Sequence, residues 1–194
     1  LCLEALEEAD RERPLAGRRC SVEHAFQKTD RASIERLKKL GFIVASNPLL
    51  TYHAAPRPFA MHQAMDQVKI NKQGASTAWE RAVREWAQYI KDWLDAGLVV
   101  TGGSDNPAVV YDPEHPLLGM YSAITGETLA GVLAPGQQIT REQALRMYTI
   151  SNAYATFEED IKGSLEPGKL ADLVVLSDDL LTVPDACIKD IVVD

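Results

Sequence analysis

The stretch LVVTGGSDNPAV, residues 98–109, joins a short apolar run to an abrupt polar ending. Residues 98–100 predict a buried strand, because a short apolar run that ends at glycines suits a strand covered on both faces. The run is followed by a carboxylate, that of Asp105, and parallel α/β sheets and barrels place their chemistry at the carboxyl ends of their strands. A structural role is the alternative: Asp105 caps a turn or a helix, since Asn106-Pro107 is itself a turn signal.

Composition and charge restrict the classes of protein that the chain can represent. Its 194 residues with 46% hydrophobic content predict one large globular domain, or one and a half. The formal net charge of −8 and the lack of a basic run longer than RLKK argue against a nucleic-acid partner. No apolar stretch approaches the length of a membrane span, and no signal-peptide core opens the chain.

The cysteine pattern predicts a reduced, cytoplasmic protein. Cys2, Cys20 and Cys187 are an odd number of thiols without the C-x-x-C spacing. Such a set is typical of free thiols and argues against both a disulfide framework and a zinc–cysteine cluster.

Predicted strands and helices alternate along the chain. Asp30 is a natural N-cap before an apolar stripe that ends at Gly41, and Thr140 with Gln143 forms a capping box before another helix. A polar stretch without clear period covers about residues 50–76. The predicted strands are RCSVEHA (19–25), FIVASNP (42–48) and residues 98–102, and the predicted helices are residues 1–13, 29–41, 77–97 and the segment ITREQALRMYT (139–149). This alternation predicts a parallel sheet or a piece of a barrel, with helices outside.

Residues 163–194 no longer show the alternation of predicted strands and helices. A tight turn at Pro167-Gly168 precedes a predicted strand over 173–176, and CIKDIVV (187–193) predicts a second strand. We therefore expect residues 163–194 to form a small separate β element with exposed, unpaired edges.

Two polar residues share a position at the ends of predicted strands. His24 lies near the end of the first strand, on the face of Cys20 and Val22, and Asp105 lies just beyond the third. A histidine and an aspartate that converge there can bind a divalent metal, or can pair as a base and its orienting group. The structural alternative for His24 is a buried, hydrogen-bonded histidine. Glu23 is expected to point away from His24 and either to support the site indirectly or to be structural.

Several segments together resemble the carboxyl-terminal part of a metal-dependent amidohydrolase, in the branch of N-substituted formamide deformylase-like enzymes. These segments are SVEHA, GSDNPAV, DPEHPLLGMYSAIT, TREQALRMYTISNAYATFEED and KGSLEPGKLADLVVLSDDLLTVP. The resemblance implies an α/β fold: a partial (β/α)8 TIM barrel over residues 1–160, containing strands 6 to 8 and their helices. Residues 161–194 would then be part of a small β-sandwich domain.

The same resemblance implies a metal-dependent hydrolase of carbon–nitrogen bonds in small amide-like substrates. His24 corresponds to the metal ligand of strand 6. Asp105 corresponds to the strand-8 aspartate, which contacts the metal, accepts a proton from the metal-activated water and passes it to the leaving nitrogen. The implied cofactor is a divalent metal, zinc by preference, with one or two ions. His53 is expected in the loop beyond strand 7 and Asn47 at the end of that strand, where the family often places polar groups near the substrate.

The remaining histidines and the missing strands set limits on this interpretation. His62 and His115 are predicted to be loop residues. The family's other metal ligands belong to strands absent from the chain, three strands cannot close a barrel, and zinc takes about four ligands. We therefore expect the 194 residues alone to be inactive and to bind metal weakly, and we expect a homo-oligomer or association through unpaired strand edges.

A second hypothesis remains open, in which the chain is a non-catalytic remnant that acts as an interaction or scaffold module. The sequence encoded upstream of Leu1 separates the two hypotheses. A His-x-His strand there supports the enzyme, and a start codon just before Leu1 supports the remnant.

Overall fold

The computed structural model describes residues 3–24, 28–54, 86–105, 115–129 and 131–193. In chain order the elements are α1 (Leu3–Glu12), β1 (Ser21–Glu23), α2 (Arg31–Lys39), β2 (Ile43–Ser46), α3 (Pro48–Ala54), α4 (Ile90–Asp95), β3 (Val100–Gly102), α5 (Pro116–Thr125), α6 (Arg141–Tyr148), α7 (Ile150–Ala155) and a 3₁₀ helix (Asp185–Asp190). Among these residues no helix combines the length and apolar content that crossing a membrane requires.

The three strands form one parallel sheet in the order β1-β2-β3. Val22 is paired with Val44, and Val44 with Val100, so these three side chains share a face. That face joins the main hydrophobic core, which α2, α4, α5 and α6 cover. The predicted α/β class, the parallel pairing and the strand order are confirmed.

Helix α2 begins and ends where the sequence predicts. The Asp30 carboxylate accepts a hydrogen bond from the Ser33 amide at 3.0 Å, which satisfies one of the unpaired N–H groups of the first turn. Ile34 and Leu37 are buried in the main core. Gly41 follows the helix with a φ of +72°, a backbone conformation that side chains other than glycine rarely adopt.

Helix α6 is also confirmed, including its capping box. The Gln143 amide donates to Thr140 Oγ1 at 3.2 Å, and the Thr140 amide donates back to Gln143 Oε1 at 2.8 Å. The neighbouring helix α5 was not predicted. Most of its residues are buried, and a helix that is apolar nearly all round shows no stripe from which a period can be counted.

The prediction of one continuous helix over residues 77–97 is wrong in the part that the structure describes, residues 86–97. Residues 87–89 are not helical, and α4 begins only at Ile90. Ala87 and Gln88 are buried, and Gln88 Oε1 accepts a hydrogen bond from the Ser46 hydroxyl at the end of β2. This tertiary contact outweighs the helical pattern, because propensity is a weak preference compared with packing.

The two strands predicted in the tail do not form. Residues 185–190 are a 3₁₀ helix, and the only tail pairing among the described residues is an antiparallel bridge between Leu176 and Val193. Val174 is 66% exposed, and Leu173 and Val175 are also more than half exposed. A run of consecutive apolar residues needs neighbouring strands to bury it as a strand of a sheet. The described part of the chain provides no such strands for residues 173–175.

The end of the tail is nevertheless attached to the main core. Leu180, Ile188 and Ile191 are buried there. Arg141 at the start of α6 donates to the Leu180 carbonyl at 2.6 Å and also forms an ion pair with Asp185. The last part of the chain therefore packs against helices that follow the sheet.

A second arginine joins the residues just before β1 to α7 and the segment that follows it. The guanidinium of Arg19 lies 3.8 Å from the centre of the Tyr154 ring and 4.1 Å from that of Phe157. It also donates to both carboxylate oxygens of Glu159, one of them at 2.7 Å. The side chain of Arg19 is only 15% exposed, so this contact is sheltered from solvent. The hydrogen bond from Arg19 lowers the pKa of Glu159 below its ordinary value of 4.5.

This ion pair predicts a loss of stability in acid. A carboxyl whose pKa is lower in the folded than in the unfolded state stabilises the fold fully above the unfolded pKa, and this contribution disappears as the pH falls through the folded pKa. We expect Glu159→Gln to be less stable than the wild type at about pH 7 and to lose less stability between about pH 5 and pH 3. Urea unfolding over this range measures the difference, and Arg19→Gln should flatten the profile in the same way. Parallel profiles for all three proteins would contradict the prediction.

Candidate active site

His24 and Asp105 come together at the carboxyl edge of the sheet. His24 directly follows β1, and Asp105 lies three residues beyond β3. His24 Nε2 is 3.9 Å from Asp105 Oδ2. The position of both residues at one edge follows from parallel strands, whose carboxyl ends lie together.

Both residues have left-handed backbone conformations. The φ angle is +51° at His24 and +57° at Asp105, in a region where non-glycine residues are uncommon, although Asp and His enter it more readily than most. The prediction that His24 continues the face of Cys20 and Val22 is therefore wrong, because β1 ends at Glu23 and the backbone turns at the next residue. Such turns are found preferentially at functional sites.

The two side chains remain accessible. The side chain of His24 is 46% exposed and that of Asp105 is 33% exposed. The alternative of a buried structural histidine is thus wrong for His24. Glu23, as expected, is bonded elsewhere, since it accepts a hydrogen bond from Ser21 on its own strand.

Asn47 supports His24 from the neighbouring strand end. Its Oδ1 lies 3.1 Å from His24 Nδ1, at hydrogen-bonding distance. Asn47 itself is buried, with 9% of its surface exposed, between the end of β2 and the start of α3. The structure places this side chain against His24, whereas the resemblance implied a group near the substrate.

The other histidines lie at helix ends or outside the described residues. His53 is in the last turn of α3, not in a loop, with its ring centre 5.1 Å from that of Tyr52 in an edge-on contact. His115, also predicted in a loop, caps α5, where its Nδ1 accepts from the Leu118 amide at 3.3 Å. His62 lies outside the described residues.

Two residues that fix the end of β3 were not predicted. Asn152 donates from Nδ2 to the Gly102 carbonyl at 3.0 Å, just before the turn that carries Asp105. The Tyr148 ring covers Gly102 so closely that a Cβ there would lie 2.5 Å from Tyr148 Cε2. The segment TISNAYATFEED contributed to the resemblance, but nothing in its spacing indicates a contact with residues fifty positions earlier.

Tyr148 is partly buried, and its hydroxyl is buried without a hydrogen bond within the described part of the chain. Burial alone raises the pKa of this hydroxyl far above its ordinary value. The ring extends from Gly102 to Gly119 of α5 and so fills the space between sheet and helix. Tyr148 therefore has a packing role and is no candidate for proton transfer.

The donors available for a metal are an imidazole nitrogen and a carboxylate oxygen. A tetrahedral zinc with ligand bonds of about 2.0–2.2 Å places a nitrogen and an oxygen ligand roughly 3.3–3.5 Å apart. A small rotation of two accessible side chains covers the difference from 3.9 Å. Within the described ranges no group of three or more His, Cys, Asp or Glu side chains surrounds one point, so the pair fits a metal as two of its ligands.

Several known proteins similar to this chain are hydrolases by name. The N-substituted formamide deformylase of Arthrobacter pascens is 42% identical over 91 residues, which are 46% of this chain and 16% of that protein. An uncharacterized metal-dependent hydrolase from Pyrococcus horikoshii OT3 has a similar crystal structure, with a TM-score of 0.64 at 22% identity over 94% of this chain and 32% of that one. A second such hydrolase, from Pyrococcus furiosus, gives a TM-score of 0.59 at 26% identity over 93% of this chain and 31% of that one.

The chain thus spans a third or less of the length of these proteins. The sequence model of the amidohydrolase family matches residues 1–194, the whole of the chain. This agrees with the resemblance that the motifs indicated, and the chain belongs to the amidohydrolase family.

Proposed function

We propose that the whole protein is a metal-dependent hydrolase of carbon–nitrogen bonds in non-peptide amides, and that His24 and Asp105 belong to its active site. The observation that carries the proposal is the approach of His24 Nε2 to Asp105 Oδ2 at the carboxyl edge of a parallel sheet. In α/β enzymes this edge holds the catalytic groups. The deformylase, by its name, acts on the carbon–nitrogen bond of a formamide, which supports this class of substrate.

The donor set favours a divalent cation such as zinc. Imidazole and carboxylate are both ordinary zinc ligands, and the site retains solvent access on both side chains. A divalent cation held there would lower the pKa of a bound water towards neutrality. The remaining ligands would come from other parts of the whole protein.

Asp105 is proposed to carry the proton in this reaction. Its carboxylate is partly exposed at the end of the sheet, where a substrate can reach it. A carboxylate there can accept the proton of the attacking water and deliver it to the departing nitrogen, so that the amine leaves as a neutral group. His24 would act by holding the cation and not by moving the proton.

Further features are proposed from the resemblance and the composition. We propose that β1, β2 and β3 correspond to strands 6 to 8 of a (β/α)8 barrel, with the barrel portion ending near residue 160 and part of a β-sandwich following. We also propose that the protein associates through its tail, which the exposed Leu173, Val174 and Val175 support as an uncovered apolar segment. A cytoplasmic location remains a prediction from the cysteine pattern.

Loss of His24 should lower metal content together with activity. We expect His24→Ala in the full-length protein to reduce bound metal and to lower the rate of amide hydrolysis by at least roughly 100-fold, because one ligand of the cation is removed. Elemental analysis of the purified protein and an assay on small N-substituted amides measure both effects.

A second histidine provides the matched control for this experiment. His115→Asn removes a histidine whose Nδ1 caps α5 and retains a side chain that can form the same cap, so metal content and rate should stay near the wild-type values. Full metal content and full activity in His24→Ala would refute the proposed function.

A further inference from the structure

The hydrogen bond between Asn47 and His24 has a defined direction. The Oδ1 of an asparagine amide can only accept, so the partner nitrogen, His24 Nδ1, must carry the hydrogen. A neutral imidazole carries one hydrogen on its two nitrogens. In the neutral ring, a hydrogen on Nδ1 leaves Nε2 with its lone pair, and Nε2 is the atom that lies 3.9 Å from Asp105 Oδ2.

The backbone on both sides of Asn47 is fixed. The Ser46 carbonyl accepts a hydrogen bond from the Gly103 amide at 3.0 Å, which joins the end of β2 to the turn after β3. The Asn47 carbonyl accepts from the Thr51 amide at 3.0 Å, within the first turn after Pro48. Asn47 is thus held between a strand and a helix, with its amide oxygen 3.1 Å from Nδ1 of an accessible imidazole.

Burial strengthens this contact. Asn47 is 9% exposed, whereas the side chain of His24 is 46% exposed. Water competes little for the amide oxygen, and a hydrogen bond in such a site orients its partner more firmly than one at the surface. A ring nitrogen that binds a cation is commonly oriented by the hydrogen bond of the other nitrogen.

We propose that Asn47 is a positioning residue, which accepts the hydrogen of His24 Nδ1 and so holds the imidazole in the tautomer whose Nε2 lone pair faces Asp105. This inference rests on the proposed function for its consequence, the binding of a cation by Nε2. The tautomer of His24 itself can be measured without any assay of activity. The inference gives Asn47 a different role from substrate contact.

The tautomer can be measured in the metal-free full-length protein. Histidine labelled with ¹⁵N gives separate ring-nitrogen shifts for the two tautomers, and the His24 signal is identified by its loss in His24→Gln. At a pH high enough for the ring to be neutral, we expect the Nδ1–H form in the wild type and in Asn47→Asp, whose carboxylate also accepts. Asn47→Leu, which has a similar size and no acceptor, should shift the signal towards the Nε2–H form.

Zinc affinity provides the second readout. We expect Asn47→Leu to bind zinc roughly 10- to 100-fold more weakly than the wild type, and Asn47→Asp to restore most of the affinity. The matched control is Ser46→Ala, which breaks the adjacent buried hydrogen bond to Gln88 and leaves the contact with His24 intact. Its tautomer should be that of the wild type.

The outcomes separate this inference from the proposed function. An unchanged tautomer and unchanged zinc affinity in Asn47→Leu would overturn the inference, even where His24→Ala abolishes hydrolysis. A tautomer shift that is confined to Asn47→Leu supports the inference, even where the wild type hydrolyses no amide and the proposed function fails. A shift of equal size in Ser46→Ala would also overturn it, because the effect would then be a general disturbance of the strand end.

Discussion

Asp105→Asn is expected to leave the full-length protein folded and to lower the rate of amide hydrolysis by roughly 10²- to 10⁴-fold, the usual contribution of a proton-transferring group. The substitution retains the shape of the side chain and removes its capacity to accept a proton. The side chain is 33% exposed, so the exchange of a carboxylate for an amide leaves no buried group without its partner. Steady-state kinetics measures kcat, and circular dichroism verifies the fold.

An aspartate in α4, the helix that precedes β3, provides the control for this prediction. Asp95→Asn alters an exposed carboxylate in the last turn of α4, where its ion pair with Lys91 lies on the helix surface. Its rate should equal that of the wild type. Hydrolysis at the full wild-type rate by Asp105→Asn would disprove the assignment of Asp105 as the proton acceptor.

The largest effect on stability is expected for Gly102→Ala, which should lower the free energy of unfolding by about 1–3 kcal/mol. The added Cβ would lie 2.5 Å from Cε2 of Tyr148 and 2.9 Å from its Cζ. The ring cannot slide along its long axis away from Gly102, because its hydroxyl already lies against Gly119 at the other end. Chemical denaturation measures the loss, and Gly103→Ala is the control, since a Cβ there meets its nearest atom at 3.6 Å.

The other end of the ring makes the explanation testable by a double-mutant cycle. A Cβ at Gly119 would lie 2.1 Å from the Tyr148 hydroxyl oxygen and 3.1 Å from Cζ. Gly119→Ala should therefore cost much less stability in a Tyr148→Phe background than in the wild type. Tyr148→Phe alone should gain about 1 kcal/mol, because it removes a buried hydroxyl that has no partner among the described residues. Strictly additive effects would contradict the steric explanation.

The parts of the fold that could be predicted are those with a local signal. Asp30 and Gly41 mark the two ends of α2 through backbone requirements that the neighbouring residues do not alter. The apolar runs before Asp105 and around Val44 likewise predict buried strands. Helix α5 could not be recognised, because a helix buried on most sides has no polar face to reveal its period.

The candidate site divides in the same way. His24 and Asp105 could be paired from sequence, because strand ends in a parallel sheet share an edge. The contact of Asn47 with His24 could not, since it depends on the left-handed backbone at His24. Asn152 and Gly102 are fifty positions apart and meet only after the sheet has been covered by its helices.

Arg19 contacts Tyr154 and Glu159, which follow it by 135 and 140 residues in the sequence. This long separation has a consequence for the order of folding. A growing chain exposes its amino-terminal part first, and contacts between distant positions close late. The strand that leads to His24 therefore obtains this anchor only after nearly the whole segment has left the ribosome. A nascent chain that stops before Glu159 already contains His24 and Asp105, yet the start of β1 lacks the partner that holds it.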